Sequence, residues 1–241
     1  MSGEVNGGLK VEGGNGWADL VTVLWSPGRA FARVRNRASF WPPLIVLLAA
    51  NLAFTLVASA RTRELMEEMN FQDAEIPVEA MAFIDTLSRV IVPLSAVVGV
   101  VASILVVALV LLVLQQFIGG RARFGTLFTV VAMARIPSIF KGIIHTWLVS
   151  FVPASEIPYV TVSAAAFLPR ESFGSLTYQL LSHLDPFAFW YLALLGIGFA
   201  VVNGVSLRRG VVPVVLMWLV YALGISFLSA LALGVGGPGA F

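Results

Sequence analysis

The chain contains no cysteine, only two histidines and two lysines, and charged residues fill just 12% of its 241 positions. Without cysteine it forms no disulfide, thiolate metal site, catalytic thiol or lipoprotein anchor. The formal net charge of +2 is small, and no basic run is interleaved with aromatic side chains as in a nucleic-acid surface. These absences exclude nucleic acid as a partner class and restrict any metal chemistry to two imidazoles.

Hydrophobic residues, in contrast, make up 59% of the chain, and the mean hydropathy is +0.92. Soluble domains are usually about 45 to 50% apolar. Five windows carry almost no Asp, Glu, Lys or Arg: 40–59, 91–118, 126–152, 187–207 and 211–233. Each is as long as the roughly 17 to 25 residues that cross a bilayer, and none alternates like a barrel strand. The sequence therefore predicts an all-α, polytopic membrane protein with five transmembrane helices.

Four segments follow from this pattern. Residues 1–16 are rich in glycine and poor in apolar side chains, so we expect a disordered tail with no signal-peptide core. Residues 17–39 are predicted to form an amphipathic segment at the membrane surface. Residues 40–233 would form the five-helix domain, whose first window is a signal anchor, and 234–241 a short external tail.

The loop charges predict the orientation in the membrane. One side receives the basic residues that precede the first window or lie in the loops after the second and fourth windows: Lys10, Arg29, Arg33, Arg35, Arg37, Arg121, Arg123, Arg208 and Arg209. The other side has fewer arginines and most of the acids. Because Arg and Lys near helix ends stay in the cytoplasm, we expect a cytoplasmic N-terminus and an external C-terminus in a bacterial cell membrane.

A basic arm is predicted just before the first window. Ser26 and Pro27 are typical of a helix start, and Arg29, Arg33 and Arg37 then recur every four residues. Such a helix would lie in the membrane interface with its arginines on anionic lipid headgroups. The alternative is an anchor that only fixes the topology.

Two longer segments are expected on the external side. Residues 60–90 are acidic, with leucine and methionine at helical spacing, and predict two short helices with a break near 71–76. Residues 153–186 begin with prolines, pass through the β-prone stretch 159–163, and end in an amphipathic stretch around 176–184. We expect this last stretch to lie on the membrane before the fourth span.

The third window holds ionisable residues that are costly in a membrane, and it supplies the candidate ligand or structural polar site. Lys141 is about 15 Å from the outer end at 1.5 Å per residue, close to the midplane. His145 lies four residues on, on the same helix face, whereas Arg135 is expected to snorkel to the cytoplasmic interface. Asp185, at the start of the fourth helix, is the nearest partner for Lys141, and Asn51 of the first span completes the site.

Metal binding and catalysis find little support. His145, His183, Asp185 and Glu156 could assemble a nitrogen and oxygen site only if the external loops fold inward, and isolated histidines near interfaces are commonplace. The sequence has no phosphate-binding loop, no zinc-protease helix and no nucleophile elbow. We therefore predict no metal, no cofactor and no enzymatic activity.

Three groups of residues together resemble a known family. They are Leu24-Trp25-Ser26-Pro27-Gly28-Arg29-Ala30-Phe31 with Phe40-Trp41-Pro42-Pro43-Leu44, the stretch 120–137 with Phe124, Leu127 and Phe128, and Leu184-Asp185-Pro186-Phe187 with Trp190, Leu192 and Gly196. In order and spacing they resemble bacterial Yip-domain proteins, relatives of the Ypt/Rab-interacting membrane proteins, over roughly 20–233.

The resemblance implies a five-helix domain with a cytoplasmic N-terminus. Eukaryotic members act in vesicle traffic through small GTPases and form hetero-oligomers, but their aspartate-leucine-tyrosine-glycine-proline signature is missing here, so GTPase binding is not implied. The first hypothesis is a non-enzymatic protein that binds lipids, other membrane proteins or its own copies in membrane homeostasis, assembly or trafficking. The alternative is a small-solute, ion or lipid transporter with a polar cavity near Lys141 and His145.

Overall fold

The computed structural model describes residues 16–68 and 78–235. The predicted tail, apart from Gly16, and most of 234–241 lie outside these ranges, as does the break expected near 71–76. The described α-helices are α1 Gly16–Trp25, α2 Pro27–Asn36, α3 Trp41–Glu68, α4 Val78–Phe117, α5 Phe124–Ala134, α6 Pro137–Val149, α7 Leu176–Ser182, α8 Pro186–Asn203 and α9 Leu207–Val235.

Within the described residues, five stretches are long and apolar enough to cross a membrane: Trp41–Arg61, Arg89–Phe117, Phe124–Val149, Pro186–Asn203 and Leu207–Ala232. They agree with the five charge-poor windows to within a few residues. The prediction of an all-α protein with five candidate spans is therefore confirmed.

The first two spanning helices are longer than predicted. Helix α3 continues to Glu68 and α4 begins at Val78, so the described parts of the acidic segment, 60–68 and 78–90, extend the spans and are not separate short helices. At about 1.5 Å per residue, the 40 residues of α4 reach about 60 Å, twice the thickness of a hydrocarbon core. Both helices therefore project well beyond the apolar region.

The third span is divided at Pro137. Proline has no N–H and its ring clashes with the preceding turn, which favours a break before it. Helix α5 accordingly ends at Ala134 and α6 begins at Pro137, while Arg135 still donates its backbone N–H to Val131 O at 3.2 Å. The span therefore consists of two consecutive helices.

The centre of the bundle is formed by the third and fourth spans. In the third, 56% of the spanning window is buried, against 17% in each of the first, second and fifth. The largest fully buried side chains include Phe31, Leu127, Val130, Leu195 and Phe199. Helix α9 packs along α8, and α4 packs on α3 and α5. The three outer spans thus present most of their apolar surface outward, as lipid-facing helices do.

Helix α2 is part of the bundle. It packs against α8 and α5, with Ala30 and Phe31 fully buried. A Cβ atom on Gly198 of α8 would lie 2.6 Å from Val130 Cγ1 and 3.0 Å from the Phe31 ring, so only glycine leaves room for this ring. The apolar side of the predicted arm is therefore buried in protein.

The two ends of the bundle differ in composition. We call the end that carries α1, α2 and the loops 118–123 and 204–206 the arginine-rich end, and the end that carries 150–185 the loop end. At the loop end, 3-10 turns at Ala154–Tyr159, Ala164–Phe167 and Arg170–Ser172 lead to α7. Within this segment the described residues form no strand, and the amphipathic α7 packs against α9.

Candidate functional site

Asp185 connects α6 to the start of α8. Its Oδ1 accepts hydrogen bonds from the backbone N–H groups of Phe187 at 2.9 Å and Ala188 at 2.8 Å, which caps α8. Its Oδ2 accepts a hydrogen bond from Lys141 Nζ at 2.7 Å. The Asp185 side chain is 2% exposed and that of Lys141 38%. The sequence Asp185-Pro186 favours this helix start, because proline suits the first helical position and the aspartate before it is then the N-cap residue.

Lys141 extends from the third span to the loop-end start of α8. Its ammonium reaches the residue that begins α8, so it is level with the end of that span and not with its middle. Beside it, the rings of Phe140 and Trp190 stack with centroids 6.0 Å apart. The midplane position of Lys141 in its own span stays a prediction, while its ammonium lies at the loop-end start of α8.

The two histidines do not join the ion pair. His145 is exposed, and no hydrogen bond or ion pair to it occurs in the described part of the chain. The His183 ring meets Tyr221 edge to face at 5.8 Å. Burial lowers the pKa of the His183 imidazole and nearby Lys141 lowers that pKa further, while Asp185 acts in the opposite direction. His183 therefore favours its neutral form.

The residues considered as metal ligands are not assembled. Glu156 pairs with Arg170 at 3.0 Å at the surface of the loop end. Among the side chains that the structure describes, no group of three His, Cys, Asp or Glu could hold a metal ion. The remaining candidate, Asn51, is half-buried in α3, and its Oδ1 is buried without a hydrogen-bond donor among the described residues.

Arg135 lies within the membrane-spanning region. It follows Phe124 by eleven residues, about 16 Å along the helix axis, and occupies the break between α5 and α6. Its guanidinium carbon is 5.9 Å from the centre of the Tyr191 ring in α8. Tyr191 is nearer to the loop end of α8 than to its other end, so the side chain does not snorkel to the arginine-rich end as predicted.

One of the three arginines of the predicted basic arm forms a salt bridge within the protein. Arg33 Nε lies 2.6 Å from Asp19 Oδ1, and Asp19 is buried between α1 and α2. Arg29 and Arg37 remain exposed, although the guanidinium of Arg29 also donates to Ser26 Oγ at 2.7 Å. Only Arg29 and Arg37 of the three are thus available to headgroups. Sequence reasoning missed Asp19 because it lies on the other side of the Ser26-Pro27 turn.

Two amides hold the loop between α4 and α5. Asn203 Oδ1 accepts from the backbone N–H of Ala122 at 3.1 Å, and Gln115 Nε2 donates to the backbone C=O of Ala122 at 3.2 Å. Arg121 and Arg123 flank the residue that is held in this way. Both amides lie at the ends of apolar runs, a position that indicates an interhelical hydrogen bond. The sequence does not show that the backbone of Ala122 is the partner.

A shallow pocket of about 210 Å³ opens at the loop end. Its polar lining comes from Glu156, Tyr159, Arg170 and Tyr178. The Arg170 guanidinium lies 5.7 Å from the centre of the Tyr159 ring, and burial raises the pKa of the Tyr178 phenol. Arg170 already pairs with Glu156 and contacts the Tyr159 ring, so the opposite charges of the pocket lining neutralise each other.

Comparison with known proteins identifies a shared domain. The Yip1 domain matches residues 21–229 of the chain. The chain is also similar to a Bacillus subtilis (strain 168) protein described as membrane protein YknW, with 24% identity over 200 residues that cover 83% of this chain and 84% of the relative. No solved structure matches the chain.

Proposed function

This chain belongs to the Yip1 domain family, and on that premise we propose that it is a non-enzymatic membrane protein whose arginine-rich end binds anionic lipids. Other membrane proteins and further copies of the chain are its alternative partners, in membrane homeostasis, assembly or trafficking. The proposal places the chain in the bacterial cell membrane, with the arginine-rich end in the cytoplasm and the C-terminus outside.

The observation that carries this proposal is the combination of apolar and basic groups at one end. On α1, Trp17, Val21 and Trp25 lie four residues apart and are 49%, 62% and 83% exposed, while Asp19 and Leu20 on the other face are buried. The same end exposes the arginines of α2, of the loop 118–123 and of the start of α9: Arg29, Arg35, Arg37, Arg121, Arg123, Arg208 and Arg209.

This arrangement is typical of a surface at the boundary of a membrane. Tryptophan rings prefer the headgroup level, and arginines beside them interact with anionic phosphates at about 1 kcal/mol each. Because α2 is fixed in the bundle by Phe31, the lipid-facing element is the exposed side of α1 together with the arginines. The surface is therefore preformed and does not need to fold on lipid.

The pairing of Lys141 supports a binding protein over a transporter. A transport cavity would require the ammonium to face water or substrate, but Lys141 is neutralised by Asp185, which also caps α8. His145 is exposed and takes no part in the pair. The polar pair is thus better explained as a structural connection between α6 and α8.

Quenching of tryptophan fluorescence by brominated lipid tests the proposal on the full chain. Reconstituted into mixed bilayers, the protein should be quenched more strongly by brominated phosphatidylglycerol than by brominated phosphatidylcholine, because Trp17 and Trp25 lie beside the arginines. The double variant Arg29→Gln/Arg37→Gln should reduce this preference by about tenfold or more, since each arginine is worth about 1 kcal/mol.

The matched control is Arg170→Gln, which removes one arginine from the loop end and should leave the preference unchanged. Trp25→Phe should lower the total quenching and keep the ratio between the two lipids. Equal quenching by both lipids in the unmodified protein, or an unchanged ratio in the double variant, would overturn the proposal.

A further inference from the structure

Arg135 is the ionised side chain that the fold accounts for least. It lies about 16 Å into the third span, where a charged group is costly. Its Nε is buried and has no hydrogen-bond acceptor in the described part of the protein. The guanidinium interacts with the ring face of Tyr191 and with its hydroxyl, but a phenol supplies no counter-charge. Arg135 thus has an aromatic neighbour and no described carboxylate partner.

Both oxygens of the neighbouring carboxylate, that of Asp185, already accept hydrogen bonds. Asp185 directs Oδ1 to two backbone N–H groups and Oδ2 to Lys141. The polar groups around α6 and α8 therefore comprise two cations, Arg135 and Lys141, and one anion. One positive charge remains without a counter-charge among the described residues of this region.

Polar side chains also lie in the loop-end half of the bundle. Tyr191, which contacts the Arg135 guanidinium, is five residues from the start of α8. The ring of Tyr221 in α9 meets the ring of His183, which precedes the cap of α8, with centroids 5.8 Å apart. Tyr191 and Tyr221 thus place hydroxyl groups in the half of the bundle between Arg135 and the loop end.

We infer that Arg135 binds an oxyanion, a phosphate or carboxylate group that approaches from the loop-end half of the bundle. A guanidinium presents paired N–H donors that match such a group, and the low dielectric of the span strengthens the bond. The phosphate of a lipid headgroup and a free small anion share this chemistry. The site is separate from the arginine-rich end, so either proposal can fail while the other stands.

The test uses the full chain in a mild nonionic detergent with about 0.3 M NaCl, which screens the fully exposed arginines more than the half-buried Arg135. The thermal midpoint is followed during titration with short-chain phosphatidylglycerol, with the matched diacylglycerol, and with inorganic phosphate. Saturable stabilisation by phosphatidylglycerol alone identifies a lipid phosphate. Stabilisation by inorganic phosphate as well identifies a free anion.

Arg135→Gln should weaken the apparent affinity for the active probe at least tenfold. Arg135→Lys, which keeps the charge and loses the paired donors, should weaken it about threefold, and this variant decides the matter if the glutamine variant does not fold. The double variant Arg29→Gln/Arg37→Gln should retain the affinity. No saturable stabilisation of the unmodified protein by any probe, or unmodified affinity in both Arg135 variants, would overturn the inference.

Discussion

At the scale of single residues, Asp185 combines two tasks. It caps α8 and neutralises Lys141, so a single carboxylate determines where the helix begins and how α6 lies against it. The pairing could be anticipated from the cost of an isolated lysine in a span together with an aspartate at a helix start. Arg135 was placed wrongly because sequence distance to the interface does not show which way a side chain turns at a helix break.

Replacing Asp185 by alanine should destabilise the protein more than replacing Lys141 by leucine. Asp185→Ala removes the cap and leaves Lys141 without its anion, at a cost of about 2 to 3 kcal/mol. Lys141→Leu leaves both backbone hydrogen bonds of Asp185 and should cost about 1 kcal/mol or less. The free energy of unfolding in detergent measures both, and the double change should be less than additive.

The control is Arg170→Gln, which breaks the exposed pair with Glu156 and should change stability by no more than about 0.5 kcal/mol. Strictly additive effects of the Asp185 and Lys141 changes would show that the ion pair contributes nothing of its own.

Stability should also fall in acid through His183. Because the pKa of this imidazole is lowered in the folded protein, the folded state binds its proton less readily than the unfolded chain does. The contribution is therefore present above the ordinary value near 6.5 and is lost as the pH falls through the lowered pKa. Melting temperatures between about pH 8 and pH 5 should drop less steeply in His183→Gln, while His145→Gln at an exposed position should follow the unmodified protein.

At the scale of elements, α2 is held by the shape of α8. Phe31 occupies the space left by Gly198 beside Val130, and Arg33 joins Asp19 of α1. The periodic arginines correctly indicated a helix over these residues, but an interfacial helix and a helix docked on a bundle have the same amphipathic pattern. The difference is made by Gly198, which is distant in sequence and carries no periodic signal.

Gly198→Ala should loosen this contact. The added methyl group would lie 2.6 Å from Val130 Cγ1, so the neighbouring side chains must move, at about 1 to 3 kcal/mol. Gly224→Ala is the matched control, because its Cβ would meet nothing within 4 Å and the change favours the helix. The double variant Gly198→Ala/Phe31→Ala should lose less than the sum of the two single losses, because both changes act on the same contact. Equal melting temperatures for the two alanine variants would contradict the close packing.

At the scale of the whole molecule, the five candidate spans could be predicted because spanning length and apolarity are local properties of the sequence. The continuation of α3 to Glu68 and the beginning of α4 at Val78 could not, since acidic helical sequence outside a membrane fits separate helices equally well. The hydrogen bonds from Asn203 and Gln115 to the backbone of Ala122 could not be predicted either, because they join the loop 118–123 to side chains of α8 and α4.

Reporter fusions test the orientation proposed for the whole chain. Fusions after Arg37, Arg123 and Arg209 should report the cytoplasm, since the retained arginines lie there. Fusions near Asp73, Ser172 and Phe241 should report the external side. A cytoplasmic signal from the C-terminal fusion would be incompatible with five crossings.

The packing of α2 against α8 has a consequence for biosynthesis. Phe31 is translated early, whereas Gly198 follows about 170 residues later, a delay of about ten seconds or more at roughly 5 to 20 residues per second. During that interval the part of the apolar side of α2 that packs on α8 has no partner from its own chain and must rest on the bilayer surface or on a chaperone. Ribosome-bound chains that stop before α8 should therefore leave α2 open to protease, and completion of α8 should close it.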